Sequence, residues 1–417
     1  MSLANSRTTE RSWKAFDKYL PYLATGTSTM SKRPRLAPDE PCYIERGRGC
    51  RVWDIDGNEY IDFRNALGPV TLGYAFPAVD EAIRRQLDQG IIFGHPALLE
   101  GEVAELIVRH IPCAEKVRYL KTGGEAIAAA LKVARAATGR PRVVQCGYNG
   151  WLNSLAPGSS ALPGRRQDAP KGVPADVARL HRSLAWNDMP AWTAYFREHG
   201  SETAAAVIAM DYADAGASKA FLPTVRALTA KSGALLIIDE IVTGFRIALG
   251  GLHEYCSVDV DMAVFSKGIA NGMPLSVLTG KKDLLDVIEE APNSSTISGE
   301  CQSLAAAIVG LRTYLEQDVI GHLRERGEQL QQGLNTLFER HDYPLRIVGL
   351  PACPIIVSVQ DDPASPPEDV VDRFFRAAYR NGVSLYLVTY PNFSHQVSDI
   401  DEALDRLDHA LGEIAGS

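Results

Sequence analysis

The 417-residue chain is short of several things, and each shortage excludes a class of protein. It has no surplus of positive charge: 43 basic against 51 acidic residues leave a net charge of −8, which argues against a nucleic-acid backbone as partner. Its seven cysteines (Cys42, Cys50, Cys113, Cys146, Cys256, Cys301 and Cys353) are scattered and odd in number, and none forms a C-x-x-C pair. That spacing speaks against a disulfide framework or a zinc knuckle and predicts reduced thiols in a cytoplasmic protein. Nowhere do roughly 18 apolar residues run together, as a membrane span requires. The polar, mixed-charge opening has no apolar stretch of the kind a secretion signal carries, so no membrane partner and no export are expected. No unit of about 20–50 residues recurs, which excludes solenoids and propellers. With 46% hydrophobic and 23% charged residues, the chain is an ordinary globular mixture with length enough for about two or three domains.

What is present is an alternation of helix and strand. The pattern predicts helices over Ala78–Gln89 and Leu98–His110 and a strand near Val117–Leu120. Thr122-Gly123-Gly124-Glu125 then opens an Ala-rich helix that Gly139 ends. Short β-branched or apolar runs follow at Arg142–Gln145, Ala205–Met210, Ala234–Asp239, Met262–Phe265 and Leu275–Gly280. Buried runs of this length between helices predict an α/β fold with a mostly parallel sheet. A Gly/Pro/Ser-rich stretch from Leu155 to Pro174 has no period and predicts a long loop. After about Cys301 the pattern changes to two long helices through Arg340, short strands, and helices near Glu368–Asn381 and Asp399–Ile414. The expected division is an N-terminal segment 1–70 that joins a small α+β domain at 306–417, with a large domain at 71–305.

Three features carry chemistry. Lys267 directly follows the strand Met262–Phe265, and burial there would lower its pKa and make it a nucleophile or base. Asp239 ends the strand Ala234–Asp239, at the edge where open α/β sheets bind ligands. Thr122-Gly123-Gly124 precedes a helix whose free N–H groups suit a phosphate. Singly, these read equally as a surface lysine, a loop carboxylate and a capped helix start. In this order they describe a pyridoxal 5′-phosphate site: a lysine for the Schiff base and an acid that keeps the pyridine nitrogen protonated.

With those residues in view, the chain resembles the class III, fold-type I aminotransferases, within them the glutamate-1-semialdehyde aminomutase-like branch. The resemblance runs from Val52-Trp53-Asp54-Ile55-Asp56-Gly57 through Gly68–Pro77, Asp239–Arg246, the lysine segment and Ser295–Gly299. It implies a seven-stranded, mostly parallel sheet in a large cofactor domain and a small domain built from both termini. It further implies that Lys267 is the Schiff-base lysine, that Asp239 partners the pyridinium, and that Ile241 and Tyr148 cover the two ring faces. Asn149, beside Tyr148, would also bind the cofactor, and Thr122, Gly123 and Gly124 would hold the phosphate. Thr296 would reach the phosphate of a neighbouring subunit, so a homodimer with shared sites is implied. The alternative for Thr296 is a helix cap.

The expected activity is transfer of an amino group from a donor such as glutamate to the aldehyde or ketone of a sugar, aminocyclitol or aminoglycoside-type intermediate. The alternatives are glutamate-1-semialdehyde 2,1-aminomutase and a non-catalytic binding protein of the same fold. Departures from the family pattern bear on that choice. Tyr148-Asn149-Gly150-Trp151 lacks an imidazole, Met210-Asp211 stands where relatives end a strand in Glu-Pro, and Gly73–Pro77 reads Gly-Tyr-Ala-Phe-Pro. Asp211 and Asp214 are candidates to receive a cationic sugar, and Tyr390–His395 resembles the branch that acts on sugars. Arg35, Arg64 and Arg246 are candidate clamps for a substrate carboxylate.

Overall fold

A computed structural model of the chain describes residues 7–152, 172–359 and 367–416. The expected loop after Leu155 lies, up to residue 171, outside the described residues. Contacts gather the chain into two units, Met1–Phe76 with Gly321–Ser417, and Pro77–Ile320. Both borders fall a little beyond those read from the sequence. The later one moves because the helix Cys301–Glu316 packs on the helices Pro77–Gln89 and Leu98–His110 and so belongs to the larger unit.

The larger unit is built on seven strands: β1 (Lys116–Leu120), β2 (Arg142–Cys146), β3 (His181–Ser183), β4 (Thr203–Ile208), β5 (Leu235–Asp239), β6 (Met262–Phe265) and β7 (Ser276–Gly280). Their order across the sheet is β1-β7-β6-β5-β4-β2-β3. Only β7 is reversed, pairing antiparallel with both β1 and β6, while the rest run parallel. Every residue of β4 and β6 is buried, which explains why these strands are continuous apolar runs with no alternation.

The helix Gly123–Thr138 lays Ala126, Ile127, Ala130, Leu131 and Val133 on Val143, Val207, Ile237, Val264 and Leu278. Its alanines allow the backbone to lie close to the sheet. A reciprocal cap fixes where it starts: Glu125 N–H donates to Thr122 Oγ1 at 3.3 Å, and Thr122 N–H donates to Glu125 Oε2 at 2.8 Å. Gly139 ends it in a left-handed turn.

The smaller unit joins both ends of the chain in one sheet. Ile44–Arg48, Arg51–Asp54 and Glu59–Asp62 form an antiparallel meander, and Val383–Ser384 pairs parallel with the last of them. The helix Val397–Ala415 buries Ile400, Ala403, Leu407, Ala410 and Leu411, a stripe at helical spacing. Ile400, Ala403, Leu407 and Leu411 join Tyr60, Ile61, Phe63, Phe338 and Phe374 in the core of this unit. His395 lies in the loop ahead of the helix Val397–Ala415, where it is fully buried and stacks on Phe63 at 4.6 Å. No helix among the described residues is long and apolar enough to cross a membrane.

Candidate active site

Four strand ends share one edge of the sheet. β1 ends at Leu120 and leads into Thr122-Gly123-Gly124, β2 ends at Cys146 ahead of Tyr148, β5 ends on Asp239, and β6 ends two residues before Lys267. The common direction of these strands puts all of them at the carboxyl edge, where open α/β sheets take ligands. β5 and β6 are neighbours, with Asp239 paired to Val264, so the aspartate and the lysine leave the sheet side by side.

Asp239 is 6% exposed, and Ile241 N–H donates to its Oδ1 at 3.0 Å. Burial pushes its carboxyl up to about 7, opposed by that N–H and by Lys267, and reinforced by the adjacent Glu240. Burial likewise lowers the Lys267 amine to about 8, against the pull of Asp239 and with a further push from Arg246. Each group therefore feels the other's charge, and both sit near neutrality, where they change protonation state readily. Lys267 also takes a φ of 46°, a left-handed conformation that few residues with side chains adopt. Such strain persists only where the surroundings hold it.

Ile241 and the helix start are brought together. A side chain at Gly123 would lie 2.4 Å from Ile241 Cδ1, so the glycine lets Ile241 seat against this turn without shifting. Gly123 and Gly124 are the first two residues of a 16-residue helix, and their N–H groups have no acceptor within it. Tyr148 is half exposed, and Asp239 helps to raise its hydroxyl pKa, burial being the larger cause.

Other predicted site residues are placed differently. The Thr122 hydroxyl is taken by the helix cap. Asn149 is fully buried and turns its Nδ2 back to the carbonyls of Cys146 and Gly147, at 2.9 and 3.2 Å. Its Oδ1 has no partner among the described residues. Thr296 is exposed in a turn and caps no helix; Glu300 caps Cys301–Glu316 instead, accepting from Gln302 and Ser303 N–H. Asp211 accepts from Ala213 and Asp214 N–H, and Asp214 Oδ2 accepts from Asn187, so both acids are engaged in shaping their own loop. Of the candidate clamps, Arg35 pairs with Asp372, Arg64 pairs with the buried Glu40 at 2.7 Å, and Arg246 is almost wholly buried.

Sequence reasoning missed Glu240 and His253, a fully buried pair 2.9 Å apart directly behind Asp239. The signal was a second acid straight after the strand-end aspartate. It also missed Lys121, whose Nζ lies 2.9 Å from Glu300 beside the glycine turn.

The residues present fit pyridoxal 5′-phosphate. A lysine close to its free-amine form suits an aldehyde, and a buried carboxylate suits a ring cation that would draw it into its charged form. A glycine cradle with open N–H groups suits a phosphate. Comparison with known proteins agrees. The family model described as aminotransferase class-III matches residues 35–411. A glutamate-1-semialdehyde 2,1-aminomutase of Chloroflexus aurantiacus is 34% identical over 90% of this chain and 91% of its own length. An omega-transaminase from Sphaerobacter thermophilus superposes with a TM-score of 0.86 at 25% identity, covering 100% of this chain and 99% of the other. The PLP internal aldimine form of the FumI protein of Sphingopyxis sp. MTA144 gives a TM-score of 0.87 at 25% identity, over 97% and 96% of the two chains. With a family model spanning most of the chain and a donor set that suits the cofactor, the chain belongs to the class III aminotransferases, a family of pyridoxal-phosphate-dependent transaminases.

Proposed function

We propose that amino transfer in this chain runs through Lys267 and Asp239, and that glutamate 1-semialdehyde, rearranged to 5-aminolevulinate, is its substrate. The observation that carries the reading is the coupled pair itself: a depressed lysine and an elevated aspartate at the ends of adjacent strands, beside a helix start with open N–H groups. When bound, pyridoxal phosphate supplies an aldehyde for amine exchange and a protonated ring that draws in the electrons of a broken Cα–H bond. Asp239, as an anion, would keep the ring nitrogen protonated. Lys267 would hold the aldehyde and, freed by a substrate amine, would act as the general base at Cα. Ile241 and Tyr148 would pack on the ring, and the Gly123 and Gly124 N–H groups would bind the phosphate.

The substrate rests on the aminomutase relative, which aligns over nearly the whole chain. A second reading, transfer to a separate carbonyl acceptor, is favoured by the likeness to the omega-transaminase structure. Its sugar-specific form has less support, because the Chloroflexus aurantiacus relative carries the aminomutase name and Asp211 and Asp214 already accept hydrogen bonds from Ala213 and Asn187. We further read the assembly as a homodimer. Leu87, Ile91, Phe93, Leu98 and Ile297 of the larger unit are more than half exposed, apolar surface that a second copy would cover. The exposed Thr296 adjoins Ile297 and is free to reach across.

Lys267→Ala should lose the borohydride-trappable cofactor adduct and lower turnover by about 10²–10⁴-fold or more; a variant that keeps both overturns the assignment. Supplied with glutamate 1-semialdehyde alone, the wild type should release 5-aminolevulinate. Transfer only when glutamate and a separate 6-oxo amino sugar are added would establish the second reading instead. Uptake of cofactor by apoprotein needs the free amine, so its rate should rise with pH through about 8 and level off above, followed by absorbance. Light scattering should give twice the 45.3 kDa chain mass, and Ile91→Arg with Ile297→Arg should yield monomers; a monomeric wild type rules the dimer out.

A further inference from the structure

Asp239 ends the strand Leu235–Asp239 and Glu240 is the next residue, its N–H still donating to the carbonyl of Val264 at 2.9 Å. Glu240 is fully buried and its two oxygens collect four donors. Oε2 accepts from Thr243 Oγ1 and from Leu252 N–H, the latter at 2.6 Å. Oε1 accepts from His253 N–H and His253 Nδ1, each at 2.9 Å. The carboxylate thus ties together both ends of segment 241–252. A side chain at Gly251 would lie 2.0 Å from Oε2, so the segment closes on the acid with no space left.

The same segment touches both partners of the proposed chemistry. Ile241 donates its N–H to Asp239. Phe245 packs on Phe265 at 5.5 Å and on Tyr314 at 5.4 Å, and the Tyr314 hydroxyl donates to the carbonyl of Gly268, next to Lys267, at 3.0 Å.

We propose that Glu240 and His253 are positioning residues: a charge-compensated pair that clamps segment 241–252 and, by cancelling the Glu240 charge, leaves Asp239 free to ionise. The proposal rests on the reading that Asp239 and Lys267 hold the cofactor. A bare anion one residue from Asp239 would favour its neutral form, and an imidazolium on that anion removes most of the effect. Burial alone would lower the His253 pKa, but Cys113 and the Glu240 carboxylate 2.9 Å away carry it up to about 10, which favours the cationic ring at neutral pH. The other titratable groups at this place are Cys113 and Cys256 against the pair, Lys267 beside Asp239, and Arg246 and Tyr148 near those two.

The test uses holoenzyme and reads the pH midpoint of the bound cofactor's visible absorbance, which a merely structural role would not move. His253→Gln keeps a donor but removes the cation, so the midpoint should rise by about half a unit to one unit. The double variant E240Q/H253Q removes both charges and should return the midpoint toward wild type. An unmoved midpoint in H253Q, or a double variant displaced further than the single, overturns the proposal. Should H253Q fail to fold while the double folds, an uncompensated buried charge is the cause and the pairing stands; failure of both overturns it. A wild type that takes up no cofactor sinks the reading of the site, and this proposal with it. A wild type that does, beside an unmoved H253Q, sinks this proposal alone.

Discussion

The site depends on a carboxylate and an amine kept out of water within reach of each other's charge. Neither is comfortable alone: burial drives Asp239 toward its protonated form and Lys267 toward its neutral one. Each partly restores the other. The result is a pair poised near neutral pH, which a cationic ring and an aldehyde would tip into the charged acid and the consumed amine. Two adjacent parallel strands of fixed register are the means by which side chains 28 positions apart in sequence arrive together.

The surroundings of that pair are polar groups satisfied at close range. Glu240 closes segment 241–252 behind Asp239, and Phe245 and Tyr314 connect the same segment to the backbone beside Lys267. On the other flank, Glu300 caps one helix while pairing with Lys121 at the foot of the next. A buried acid of this kind is tolerated only when its oxygens are filled. Solved structures that share the architecture at 25% identity show that the fold tolerates wide change in sequence.

Much of this was legible in the chain. The strands β5 and β6 stood out as short apolar runs, and Asp239 and Lys267 stood out at their ends because a charge there marks the point where the backbone leaves the buried sheet. The helix opened by Thr122 was legible from its cap. By contrast β3, with His181-Arg182-Ser183, has no apolar signature and pairs only because β2 offers a free edge. Asn149, read as a cofactor residue, turns its amide to nearby backbone carbonyls, and His395 is buried against an aromatic ring. Asp211 and Asp214, candidates for a cationic sugar, accept hydrogen bonds from loop residues.

Local pattern alone determined the α/β class and the cofactor chemistry and singled out Asp239 and Lys267 as the candidate centre, because burial periodicity and strand-end chemistry are written in consecutive positions. The tertiary structure decided which polar groups are already engaged, which acid compensates which cation, and where Thr122, Asn149 and Glu300 direct their side chains. Those outcomes depend on pairings between segments far apart in the chain, such as Lys121 with Glu300 and Tyr314 with Gly268. A hydrogen bond or ion pair exists only at a few ångströms' separation, and no linear pattern specifies that distance.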